Sequence, residues 1–119
     1  MAVIALNARS HGGPAHPNEL DRRRIERAIQ DRLRYRYVRP KVFAIEEGYR
    51  IESPCCSRNV DPNGGVIDVA LILFDKGEAP WQLLRKDHGE GRWELHSRYR
   101  VLPELLGFLN ADPERLFWQ

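Results

Sequence analysis

Arginine and tyrosine are concentrated in one stretch of this chain, residues 22–41, which reads RRRIERAIQDRLRYRYVRPK. The stretch carries eight arginines and one lysine against two carboxylates, a local net charge of +7 in a chain whose total is +2. Arginine binds phosphate oxygens through paired hydrogen bonds, and aromatic rings stack on unpaired bases. These residue types at this density could therefore bind nucleic acid.

The candidate contacts are the arginines that lie off the apolar stripe of a predicted helix, together with the alternating residues 34–39 that follow it. We predict phosphate contacts from the arginines and stacking from the tyrosines of this set: Arg22, Arg23, Arg27, Arg34, Tyr35, Arg36, Tyr37 and Arg39. On one strand the tyrosines and Arg34 would point to opposite faces. An RNA-recognition strand motif would need glycines that are missing here. The alternative is a solvated, salt-bridged helix face with the tyrosines in the core.

A second candidate site is the polar loop that begins with two adjacent cysteines. Cys55 and Cys56 lie close to Arg58, and a cationic neighbour favours a reactive thiolate. His88 or His96 could serve as the base if the fold brought it near. Adjacent cysteines pair only through a strained ring, so we expect no structural disulfide. Reduced thiols without an export signal predict a cytoplasmic protein.

The sequence gives little support for a zinc site, a metal nuclease or a calcium loop. The cysteines and histidines lack the spacing of a zinc site. Asp68 is the single charge in the most hydrophobic run, and no Glu-x-Lys follows it as a metal nuclease would need. Val66 and Ile72 stand where a calcium loop beginning at Asp61 needs Gly and Glu. We therefore expect no metal and no cofactor, and the sequence leans against an enzyme.

The elements that position these residues follow from length and hydrophobic periodicity. The length of 119 residues predicts one domain, 18–119, behind a flexible tail, 1–17. A helix should begin at Asn18, with Asp21 completing a capping box. Its apolar stripe is predicted at helical spacing: Ile25, Ala28, Ile29 and Leu33.

The remainder of the chain predicts an α+β fold. Residues 66–74, VIDVALILF, are the central strand of an antiparallel sheet of about five strands. A hairpin is expected on each side of it, the first beginning near Tyr35 and broken at Pro40. Pro103 opens a last helix, and Asp112 starts one further helical turn. The terminal Phe117-Trp118 should be docked, because two aromatic side chains are costly to leave in water.

The last third of the chain resembles a known family. A hairpin with Trp81, Arg85 and Trp93 is followed by a leucine-rich helix and a tail that runs from Asp112-Pro113 to Phe117-Trp118. This arrangement, with a basic N-terminal helix, is similar to a family of small bacterial proteins known only as a domain of unknown function. The resemblance implies a fold and no activity, and it supplies no catalytic residue.

Together these patterns predict a small cytoplasmic accessory or regulatory protein that binds nucleic acid, DNA or RNA, through the phosphate backbone. The alternative is a protein-interaction module without catalytic activity, acting as a homodimer through exposed aromatics such as Trp81, Trp93 or Trp118. An enzyme centred on the cysteine loop comes third. No apolar run reaches the 18 residues of a membrane span, so we expect no membrane partner.

Overall fold

Two helices and five strands make up the described part of the chain, residues 15–55 and 65–119 of a computed structural model. Helix α1 spans Glu19–Ala28 and continues as a short 3-10 turn, Ile29–Asp31, and helix α2 spans Leu102–Ala111. The strands are β1 Lys41–Ile45, β2 Gly48–Pro54, β3 Val66–Phe74, β4 Trp81–Asp87 and β5 Arg92–Tyr99. Residues 1–14 of the predicted tail and residues 56–64 of the cysteine loop lie outside the described residues.

The strands form one antiparallel sheet in the order β1-β2-β3-β4-β5. A short turn joins β1 to β2, and another joins β4 to β5, so each of these pairs is a hairpin. The α+β fold, the central strand 66–74, and the helices that precede and follow the strands in the chain are therefore confirmed. Bulges interrupt the pairing after Ile51 and after Leu83. A bulge increases the local twist of a sheet.

Both helices cover the same face of the sheet. Tyr49, Ile72 and Leu83 lie in one register row of β2, β3 and β4 and are fully buried. They pack with the apolar stripes of α1 and α2 in one core cluster, to which Ile25, Ile29, Leu102, Leu105, Leu106 and Leu109 belong. Each fully buried aliphatic side chain of this kind contributes about 1.5–3 kcal/mol.

The opposite face of the sheet is covered by no described helix. A register row on this face runs from exposed Phe43 through Arg50 and Leu71 to Leu84 and exposed Leu95. Beside the row, Asp68 accepts a hydrogen bond from Arg50 Nε at 2.8 Å and lies 3.2 Å from Lys86 Nζ. Asp68 is thus an ion-paired strand residue, as a charged side chain in an apolar strand needs to be.

The start of α1 is as predicted, and its end is not. Asn18 Oδ1 accepts the backbone N–H of Asp21 at 2.7 Å, and the Asp21 carboxylate accepts from Asn18 Nδ2 at 3.1 Å. The helix tightens to the 3-10 turn at Ile29, so the α-helical period fails there. Leu33, predicted in the apolar stripe, is consequently 70% exposed.

The segment between α1 and β1 is a loop. The strand predicted from Tyr35 is wrong, because β1 begins only at Lys41 and Tyr35 has a positive φ of 54°. A left-handed residue cannot continue a strand. Arg32 holds the loop in a tight path by donating to its carbonyls.

The C-terminal tail is docked, as predicted, although Asp112 begins a turn and not another helical turn. Asp112 is buried, with a left-handed φ of 39°, and its carboxylate accepts the backbone N–H groups of Leu116, Phe117 and Trp118. Trp118 is 2% exposed, and its indole N–H donates to Leu109 O at 2.9 Å. One carboxylate therefore replaces the amide hydrogen bonds that another helical turn would have made.

Candidate nucleic-acid interface

The three arginines at the start of α1 are each paired with an acid on the same helix. Arg22 donates to Glu19 at 2.8 Å, and its second nitrogen lies 3.3 Å from Glu26. Arg23 reaches the same Glu19 carboxylate at 3.0 Å. Hydrogen bonds from Arg22 and Arg23 lower the pKa of Glu19 to about 2. The hydrogen bond to Glu19 and the charge of that carboxylate raise the pKa of Arg22. Much of the cationic charge at this end of the helix is therefore balanced locally.

Arg32, which was not among the predicted contacts, is a buried structural side chain. It is 1% exposed and donates to Ile29 O at 2.8 Å and to the carbonyls of Tyr35 and Val38 at 2.7 Å. Its guanidinium lies over the Trp118 ring, 4.7 Å from the centroid. A signal was present in the sequence, because Arg32 falls seven residues after Ile25, on the apolar side of the helix.

Arg34 and Tyr35 also contribute to the fold. Arg34 donates to the backbone oxygens of Ala111 and Asp112, and its guanidinium is 3.8 Å from the buried Asp112 carboxylate. Tyr35 is half-buried and packs against the core cluster. Their position beside the C-terminal tail separates them from the more exposed members of the predicted set.

Arg27, Arg39 and Lys41 lie together at a groove between α1 and the start of β1, which we call the cationic groove. It has a volume of about 710 Å³ and is lined by Arg22, Arg23, Glu26, Arg27, Gln30, Arg39, Pro40 and Lys41. Among residues 15–55 and 65–119, no carboxylate lies within 4.0 Å of the cationic groups of Arg27, Arg39 or Lys41. Lys41 and Gln30 were not among the predicted contacts, although Lys41 closes the basic stretch in the sequence.

Two further predicted residues lie on the loop that leads into this groove. Arg36 is exposed, and Tyr37 is 78% exposed with its ring 6.5 Å from that of Tyr35. An exposed aromatic ring on an arginine-rich loop is the type of side chain that can stack on an unpaired base. In this loop Tyr35 is half-buried against the core and Tyr37 is exposed beside it.

A family model described as a domain of unknown function, DUF3024, matches residues 13–119. The chain belongs to the DUF3024 family. No curated protein matches the sequence. No solved structure matches the chain either.

The cysteine loop of this DUF3024 chain is described only at its ends. Cys55 is buried at the end of β2, and its N–H donates to Gly65 O at 2.7 Å. Cys56 and Arg58 lie outside the described residues, so the loop site stays a prediction. Within the described ranges, no three His, Cys, Asp or Glu side chains are grouped so as to hold a metal ion.

His16, which the sequence assigned to the tail, packs in the DUF3024 fold between Phe74 and Trp81. Its Nδ1 lies 2.9 Å from the Tyr49 hydroxyl and 3.6 Å from the Asp21 carboxylate. Burial lowers the pKa of His16, and the charge of Asp21 opposes that change. Burial also raises the pKa of Tyr49. Burial therefore favours the uncharged form of both side chains.

None of the helices in the described part of the DUF3024 chain is both long enough and apolar enough to cross a bilayer.

Proposed function

We propose that this DUF3024 protein binds nucleic acid through the phosphate backbone, with the cationic groove as the contact surface. The observation that supports this function best is the convergence of Arg27, Arg39 and Lys41 on one groove that contains a single carboxylate, Glu26. Cations that lack a carboxylate partner can release counterions from phosphates and so drive association. Arg22 and Arg23 form the wall of the groove, where each can exchange an acid partner for a phosphate.

The loop beside the groove provides the aromatic part of the proposed interface. Arg36 extends the cationic surface, and the exposed ring of Tyr37 offers a base-stacking platform. Stacking needs unpaired bases, so the proposal favours a single strand over a duplex. Arg34 and Tyr35 are assigned to the fold, because Arg34 is held by the C-terminal tail and Tyr35 packs on the core.

The test is fluorescence polarisation with a labelled single-stranded 20-mer and its duplex, at salt concentrations between about 50 and 200 mM. The site variant is the triple substitution Arg27→Gln, Arg39→Gln and Lys41→Gln. We expect it to weaken binding at least roughly tenfold at low salt and to flatten the salt dependence by about two to three counterions. Each lost cation removes one phosphate contact whatever the base sequence.

The matched control removes the same charge elsewhere, through Arg92→Gln, Arg98→Gln and Arg115→Gln, three exposed arginines outside the groove. It should bind within about twofold of the wild type, because none of the three arginines lines the groove and salt screens exposed charges that do not touch the bound phosphates. Equal losses in the two triple variants would show that net charge alone drives association. Absence of binding at 50 mM salt would end the proposal.

The rival hypothesis, a homodimer, loses two of its predicted contact residues. Trp81 is 7% exposed and Trp118 is 2% exposed, since both belong to the core cluster. Trp93 is half-buried, with Lys86 Nζ 5.0 Å from its ring centroid. A mass that rises with concentration, in the absence of nucleic acid, would favour the dimer.

A further inference from the structure

A second groove lies between the two helices, on the covered side of the sheet, and we call it the interhelical groove. It has a volume of about 760 Å³, within the range of small-molecule sites. One end is closed where Asn110 Nδ2, at the end of α2, donates to Ala28 O at the end of α1, at 2.9 Å. The groove shares no lining residue with the cationic groove.

Aromatic rings line the other end of the interhelical groove. His16, Phe74 and Trp81 contact one another with centroid distances of 4.4, 4.8 and 4.9 Å. The Tyr49 hydroxyl fixes the His16 ring, and the core holds Trp81. These rings are already ordered, so an apolar ligand that packs on them would not have to order them on binding.

The apolar lining continues along α2. Leu102, Pro103 and Leu106 contribute side chains, and Gly107 leaves a gap in the wall. A Cβ atom added at Gly107 would meet nothing within 4 Å, so the space beside it is open. The groove therefore suits a flat, apolar body more than a highly polar one.

The aromatic end of the interhelical groove also carries a cation, Arg100. Arg100 follows Tyr99, which is the cross-strand partner of Trp81, so Arg100 lies beside the ring cluster. Among residues 15–55 and 65–119, no carboxylate lies within 4.0 Å of its guanidinium. The other arginine of this groove, Arg24, is neutralised by Asp21 at 3.2 Å. The net local charge next to the rings is therefore positive.

We propose that the interhelical groove binds a small aromatic carboxylic acid. The ring of the ligand packs against Phe74 and Trp81, and its carboxylate lies at Arg100, which can bind it through two parallel hydrogen bonds. Asp31 lies on the 3-10 turn after α1, towards the closed end where Ala28 meets Asn110. The acid group is thus directed to the Arg100 end, away from this carboxylate.

The experiment is an NMR titration of the full chain with 3-phenylpropionate, in parallel with 3-phenylpropanamide and acetate. The amide keeps the ring without the charge, and acetate keeps the charge without the ring. We expect shifts at the Trp81 indole and along α2, with the acid binding roughly fivefold more tightly than the amide and acetate causing no saturable shift.

Two variants locate the site. Arg100→Gln should reduce the affinity of the acid to that of the amide, and Gly107→Phe should abolish binding of both by filling the groove. Arg98→Gln, an exposed arginine on β5, is the control and should change neither affinity. Arg100 and Gly107 are both exposed, and thermal unfolding of each variant checks that the fold is kept.

Equal affinity for acid and amide would overturn the proposal, as would shifts confined to residues outside the groove. So would the absence of any shift at about 10 mM acid, where even weak small-ligand sites begin to fill. None of these results bears on nucleic-acid binding, because the two grooves have separate linings.

Discussion

At the scale of single residues, the arginines of this chain fall into three physical classes. Arg32 is buried and hydrogen-bonded to carbonyls, Arg22 is balanced by acids one turn away, and Arg27 faces solvent without such a partner. The same side chain serves all three roles because its guanidinium is planar, always charged and able to donate five hydrogen bonds. Only the third class is suited to binding an external anion.

Arg32→Lys is expected to lower the free energy of unfolding by about 2–4 kcal/mol. An ammonium is a point charge and cannot reach the carbonyls of Ile29, Tyr35 and Val38 together as the guanidinium fork does. It also loses the flat contact with Trp118. Urea unfolding measures the change, with Arg36→Lys at an exposed loop position as a control that should shift by less than about 0.5 kcal/mol. Equal effects at the two positions would contradict the structural role of Arg32.

His16 predicts a pH dependence of stability. Its pKa is lowered in the folded state, chiefly by burial, so between that value and 6.5 the unfolded chain binds a proton that the folded chain does not. Stability due to neutral His16 is therefore complete above pH 6.5 and declines as the pH falls towards the lowered folded pKa. Hydrogen bonds from Arg22 and Arg23 lower the pKa of Glu19 to about 2, so that carboxylate titrates below this range.

Urea midpoints at pH 7.5, 6.5 and 5.5 test this, and we expect a smaller loss on acidification in His16→Gln than in the wild type. The pKa of His88 is also lowered by burial. The variant His88→Gln therefore measures the contribution of His88 to the pH dependence separately, because it keeps His16. An unchanged pH profile in His16→Gln would refute the expected coupling.

At the scale of elements, close backbone contacts and helix ends decide the geometry. Gly48 begins β2, where a Cβ atom would lie 2.1 Å from Ile72 O and 2.9 Å from Leu73 Cα. The turn before it contains Glu47 with a φ of 64°, so the β1–β2 connection requires both a left-handed residue and a residue without a side chain. The glycine allows β2 and β3 to approach closely at this corner.

A pair of glycine substitutions compares these constraints. Gly48→Ala should cost about 3 kcal/mol, because the added methyl group overlaps backbone atoms that cannot move independently. Gly107→Ala, in the middle of α2 with open space around it, should gain about 0.5–1 kcal/mol through helix propensity. Thermal or urea unfolding measures both the expected loss of stability in Gly48→Ala and the expected gain in Gly107→Ala. A loss of stability in Gly107→Ala would show that its neighbourhood is filled.

At the scale of the whole molecule, the charge distribution is uneven in a way that the net charge of +2 conceals. Acids on α1 balance the arginines of its first turn, and the tail carboxylate of Asp112 balances Arg34. The cationic groove remains on one side, and the interhelical groove has its own separate rim. The fold thus concentrates a modest charge excess at one place.

A ligand that binds only the native state raises the melting temperature. If the cationic groove binds nucleic acid, a single-stranded 20-mer at about 100 times its Kd should stabilise the protein by about 2.7 kcal/mol, a shift of several degrees. High salt should remove the shift, and the Arg27, Arg39 and Lys41 triple variant should show a smaller one, about 1.4 kcal/mol if its affinity falls tenfold. A shift that survives high salt would point to a contact other than phosphate.

Much of the local structure could be predicted from the sequence. Periodicity located the central strand and both helices, Asn18 and Asp21 marked the first helix start, and Phe117-Trp118 indicated a docked tail. These features depend on residues close together in the chain or on the cost of exposing aromatic side chains. The family, too, was indicated by motifs that are local in the sequence.

Tertiary structure decided which side of the fold each charged residue occupies. The sequence could not show that Arg32 lies on Trp118, that Arg34 pairs with Asp112 or that Lys41 lines the same groove as Arg27, because the fold brings these residues together and their spacing does not. It also could not show where α1 tightens at Ile29, since the contacts of the following loop fix that end. Charge is a property of composition, whereas an uncompensated charge depends on which neighbours the fold supplies.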